Sequence, residues 1–151
     1  MFAPAAMSRT SLNAASGAYR QIGVETGIAD ATPHRLIAML FEGFNESVAQ
    51  AFTAMQQGQF ETKGRAIGRS VRIVDEGLKD ALDVKAGGKL AEDLKALYTY
   101  IAMRLTQANL QNDPRALEEC MRLMEPLRSA WVAIAPAAAN AANAVSATVT
   151  R

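Results

Sequence analysis

The chain has 151 residues, enough for one domain that buries a core without help from disulfides or metals. Half of the residues are hydrophobic, only 6% are aromatic, and 16 basic residues stand against 15 acidic ones for a formal net charge of +1. Abundant alanine and scarce strand-like runs favour helices, and the balanced charge speaks against a nucleic-acid binder.

Residues 1–31 are rich in Ala, Ser, Thr and Gly and read as a flexible N-terminal segment. A helical domain is expected over 32–135. Its first helix starts at Pro33, because Thr32 caps the helix and proline at the first position sacrifices no hydrogen bond. Leu36, Ile37, Leu40, Phe41, Phe44, Val48, Ala51, Phe52 and Met55 recur at helical spacing, and Gly58 ends the run. The second helix is expected from about Glu61 to Asp83, with Ile67, Val71, Val74, Leu78 and Leu82 as its apolar stripe. Gly64, Gly68 and Gly77 lower its intrinsic propensity, so it depends on the bundle.

Gly87-Gly88 marks a turn within 85–89. The third helix then carries Leu90, Leu94, Leu97, Tyr98, Ile101, Leu105 and Ala108, and 109–113 closes it. Asp113-Pro114 repeats the cap-then-proline start. The fourth helix uses Leu117, Cys120, Met121, Met124, Leu127, Trp131 and Ile134. Pro126 lies inside that stripe, where a missing donor and a crowded Arg122 carbonyl predict a kink. Residues 136–151 form an Ala-rich tail with one terminal charge and are expected to be poorly ordered. Short connections between helices of similar length give an all-α, antiparallel four-helix bundle.

Little of this supports catalysis. His34 is the one histidine, set in the first turn of a helix, and reads as a solvated helix-end residue. Cys120 lies on an apolar stripe, where a thiol behaves as a small hydrophobe. It cannot form an internal disulfide and fits a reducing compartment. No phosphate-binding glycine loop, metal-ligand set or nucleophile–base pair can be assembled, so neither an enzyme nor a cofactor is expected. Arg65, Arg69 and Arg72 share a helix face with Glu61, Glu76, Lys79 and Asp83, and mixed signs read as a solvated, ion-paired surface. No run approaches the roughly 20 apolar residues of a membrane span. The charge at Arg9 follows the first apolar residues rather than preceding them, unlike a secretory signal. A cytoplasmic protein without stable membrane insertion is expected.

The unusual feature is apolar surface. On the first helix the apolar residues span about 160°, wider than the roughly 100° that a core-facing helix requires, with Leu36 and Phe52 at the edges. On the third helix, Met103 and Leu110 lie one above the other, opposite the main stripe, and Tyr100 is also off it. Two readings are open: these residues pack under the N-terminal segment or the fourth helix, or they form a groove for a partner's apolar helix.

Three segments carry a resemblance. The first runs from Ala18-Tyr19-Arg20-Gln21-Ile22-Gly23-Val24-Glu25 into Ala31-Thr32-Pro33-His34-Arg35-Leu36-Ile37-Ala38-Met39-Leu40-Phe41-Glu42-Gly43. The second is Leu97-Tyr98-Thr99-Tyr100-Ile101 with Arg104-Leu105 and Ala108-Asn109, and the third is Leu127-Arg128-Ser129-Ala130-Trp131. In this order and spacing the chain resembles the FliS family of flagellar secretion chaperones over roughly Ala18 to Ile134. The family often has Tyr-Asp-Gly where Phe41-Glu42-Gly43 stands, and Pro126 and the Ala-rich tail also depart from its pattern.

The resemblance implies a four-helix bundle with a mobile N-terminal segment. It implies binding of the disordered C-terminal part of flagellin, which folds as it wraps the bundle, and delivery to a membrane protein of the flagellar export gate. On helical geometry and this resemblance, Leu36, Leu40, Phe44, Met103 and Leu110 are the expected client contacts. Tyr19 and Ile22 are the expected lid. An adaptor of the same build for a different flagellar or regulatory client is the alternative.

Overall fold

The computed structural model describes residues 31–134. The expected N-terminal segment, Tyr19 and Ile22 within it, and the tail after Pro136 lie outside the described residues apart from Ala31.

Helix α1 spans Pro33–Gln56, and its start is set by the Thr32 hydroxyl, which accepts the Arg35 N–H at 3.1 Å. The reversal after it places Gly58 at φ +70°, a left-handed conformation that favours glycine. Helix α2 spans Phe60–Arg72 and continues as a π-helical segment, Ile73–Lys79. The element thus ends at Lys79, short of the expected Asp83, and its last turns are wider than an α-helix. The Asp80 N–H reaches back five residues to the Asp75 carbonyl at 3.2 Å. Gly77 lies inside the widened turn, packed so closely on α1 that a Cβ there would sit 3.0 Å from a Leu40 methyl.

Helix α3, Val84–Gln111, starts earlier than expected, because the Asp83 carboxylate caps the Ala86 N–H at 3.1 Å. The expected glycine turn is present as a break inside the helix, with Gly88 at φ 56° and ψ −135°. Asn112 ends α3 in the left-handed region at φ 51°, and Asp113 opens α4, Pro114–Ala133, by accepting the Arg115 N–H at 3.0 Å. Helix α4 runs through Pro126 as one helix. Pro126 is exposed, so a carbonyl left without its donor there is open to water.

The helices alternate in direction. His34 at the start of α1 meets Trp131 at the end of α4, and Lys63 at the start of α2 meets Asn109 and Asn112 at the end of α3. Each helix therefore packs beside its sequence neighbours, and α4 closes the bundle on α1. Phe44, Leu40, Ile67, Ile73, Ile101, Leu105, Leu117 and Met124 are the large side chains at its centre. Each contributes about 1.5–3 kcal/mol relative to exposure in water.

Candidate binding surface

The second element of each packed pair decides which expected residues face outward. Helix α1 is contacted by α2 on one side and α4 on the other, which uses up its wide apolar sector. Leu40 and Phe44 are fully buried and Leu36 is 7% exposed, so in this state the three present no surface to a partner. Met103 and Leu110 are outside, 47% and 80% exposed. Tyr100 is exposed beside them. Tyr100, Met103, Gln107 and Leu110 fall within about 80° of one another at 3.6 residues per turn, opposite the buried Ile101, Leu105 and Ala108. Eleven residues of helix, from Tyr100 to Leu110, carry this strip over about 15 Å.

A polar network borders the strip. The Glu119 carboxylate, on α4, accepts from the Tyr100 hydroxyl at 2.6 Å and from Arg104 Nε at 2.6 Å. Arg104 Nη1 also donates to Gln107 Oε1 at 2.7 Å. The Tyr100 phenol and then Arg104 hold the Glu119 carboxyl below the usual carboxylate range. The bond to Glu119 raises Tyr100 above the usual phenol range. Periodicity alone did not single out Glu119. The only signal was Tyr100 and Arg104 at positions i and i+4, side by side on one helix face.

His34 corrects its expected role. Its ring stacks on Trp131 with centroids 4.8 Å apart and planes 6° from parallel. His34 Nε2–H donates to the Trp131 carbonyl at 2.7 Å, and Trp131 Nε1–H donates to the His34 carbonyl at 2.9 Å. The partners are 97 residues apart in sequence, so helix-end chemistry could not reveal the pairing. Lys63 was also missed. It is buried, and its ammonium caps the end of α3 through Asn109 O and Asn112 Oδ1, both at 3.1 Å.

Cys120 is fully buried with its Sγ 3.7 Å from the Ile101 carbonyl, and burial pushes the thiol up to about 12. A thiol held protonated there is no nucleophile. The arginine face is ion-paired as expected at Arg65–Glu61, 3.2 Å, and Arg72–Glu76, 3.7 Å. Arg69 is half-buried, with its guanidinium facing Gly43 of α1. Among the described residues no cluster of three metal-ligating side chains exists, and no helix is long and apolar enough to cross a membrane.

An all-helical bundle with a bordered apolar strip and a sealed thiol defines a binding protein. The family model described as "Flagellar protein FliS" matches residues 14–138, and the chain belongs to that family. The flagellar secretion chaperone FliS of Salmonella typhimurium strain LT2 is 43% identical over 121 residues, 80% of this chain and 90% of the relative. Flagellar secretion chaperone FliSB of Pseudomonas aeruginosa is 42% identical over 75% of this chain and 89% of its own length. FliS of Bacillus subtilis strain 168 is 32% identical over 76% and 80% respectively. The protein is by family a flagellar secretion chaperone, not an enzyme.

Proposed function

We propose that this chaperone works in the cytoplasm and captures the disordered C-terminal region of flagellin. It keeps flagellin from polymerising early and hands it to a membrane protein of the export gate. The observation that carries the reading is the outward apolar strip Tyr100–Met103–Leu110, which the bundle core does not use. A disordered client loses chain entropy as it folds on binding, and burying the apolar face of its helix on such a strip offsets that cost. The contact is firm but reversible, as delivery requires. A role for Tyr19 and Ile22 in covering that surface belongs to the same reading. Leu36, Leu40 and Phe44 join the contact only where α1 is opened, since they are otherwise interior.

Isothermal titration with monomeric flagellin, full-length and lacking its C-terminal region, tests this. Binding with a large negative heat-capacity change, lost on truncation, is expected. Met103→Glu combined with Leu110→Glu is expected to abolish binding while the far-ultraviolet dichroism stays native. Unchanged binding by that folded variant refutes the surface. An adaptor for another client is favoured only if the folded wild-type chain ignores both forms of flagellin.

A further inference from the structure

The strip is not apolar throughout. Tyr100 lies one turn before Met103 and Gln107 one turn after it, and both are tied to the same pair, Arg104 and Glu119. Tyr100 is 39% exposed, so its ring is not held by burial in the core. Its position is set by one bond from the phenol to Glu119 of the neighbouring helix. The second Glu119 oxygen holds Arg104, and Arg104 holds the Gln107 amide. Met103 therefore stands as an exposed thioether between two polar side chains whose places are fixed from α4.

We propose that Glu119 is the positioning residue of the client surface, fixing Tyr100 and Gln107 as a rigid frame around Met103. The inference rests on the reading of that strip as the flagellin contact. The physical reason is the entropy of binding. A mobile tyrosine and glutamine must be immobilised when a helix lands on them, whereas side chains already locked lose little. A rigid aromatic beside a flexible apolar centre, rimmed by satisfied polar groups, is the build of an interface hot spot. An ion pair between half-buried surface groups is a weak device for bundle stability, so the frame's main effect falls on binding.

The test is a double-mutant cycle on full-length protein titrated with monomeric flagellin, using Tyr100→Phe, Glu119→Ala and both together. Tyr100→Phe keeps the ring and removes the one bond that fixes it. Each single variant is expected to bind about three- to tenfold more weakly, the loss that freezing one freed side chain produces. The double variant is expected to be no weaker than Glu119→Ala alone, because removing the carboxylate already breaks the bond that Tyr100→Phe removes. Urea midpoints are measured in parallel. Wild-type binding by both folded single variants, alongside lost binding in Met103→Glu, overturns the frame and leaves the client surface standing. Fully additive losses also overturn it. Binding retained in Met103→Glu overturns the client surface itself. If Glu119→Ala does not fold, Tyr100→Phe alone decides: a three- to tenfold loss supports the frame and wild-type binding overturns it.

Discussion

Replacing Gly77 with alanine is expected to destabilise the bundle, although the same change at Gly68 is expected to stabilise it. Alanine in place of a helical glycine gains about 0.5–1 kcal/mol from backbone entropy alone. At Gly68 an added Cβ meets nothing within 4 Å, so the whole gain is realised. At Gly77 the added Cβ sits 3.0 and 3.1 Å from the two methyls of Leu40. Leu40 is fully buried and cannot swing into solvent, so the crowding must be relieved by moving α1 or its neighbours. Overpacking of this kind costs about 1–3 kcal/mol and outweighs the propensity gain. The two variants therefore differ by roughly 2 kcal/mol, which places Tm about 3–6 °C above wild type for Gly68→Ala and several degrees below for Gly77→Ala. Thermal and urea unfolding followed by circular dichroism, with m unchanged, measures both. A higher Tm in Gly77→Ala would show that Leu40 yields freely and that the close approach does not limit the α1–π-segment contact.

Lys63→Met keeps the buried stem but removes the donors that cap α3. It is expected to cost about 1–3 kcal/mol, because Asn109 O and Asn112 Oδ1 lose their partner, and to speed amide exchange at the end of α3. Trp131→Phe retains a ring against His34 but loses the Nε1 donor, for about 1 kcal/mol by urea unfolding. Because Trp131 is the one tryptophan in the chain, His34→Ala is expected to shift the emission to longer wavelength. Tyr100→Phe removes the largest cause of the low Glu119 titration, so that carboxyl is expected to titrate at a higher pH by carbon-13 NMR. The folded value lies below the ordinary 4.5, so this carboxylate stabilises the fold above that pH and its contribution is lost as pH falls. With a smaller shift, the variant loses less stability than wild type on acidification. An identical titration in both proteins would refute the Tyr100 bond.

The helices were legible in the sequence where a local signal set them. Thr32-Pro33 and Asp113-Pro114 each place a capping side chain ahead of a proline, and both helices start there. The turn at Gly88 was legible for the same reason, since its left-handed φ favours glycine. What was not legible depends on closure of the bundle. The widened turn at Ile73–Lys79 sets Gly77 against Leu40 of α1, and the apolar period within 60–83 does not distinguish it from an α-helical turn. The breadth of the α1 stripe left both packing and a partner groove open, and the resemblance put Leu36, Leu40 and Phe44 on the client surface, yet they are interior because two neighbours share that helix. Period alone put Met103 and Leu110 opposite the core stripe of α3 but could not say whether another segment covers them, and in the bundle they are exposed.

The polar contacts that sequence reading missed explain how the proposed client surface can be spared from structural duty. His34 and Trp131 stitch α1 to α4 at one end, and Lys63 stitches α2 to α3 at the other. Between these ends the core is apolar and sealed, with Cys120 inside it. Stability is thus carried by the interior and the two ends, and among the described residues Met103 and Leu110 on the outward face of α3 stay exposed. On that face Tyr100 and Gln107 are held through the Arg104–Glu119 pair between α3 and α4. A change at Met103 or Leu110 should therefore alter binding without altering folding, while a change at Lys63 or Trp131 should do the reverse.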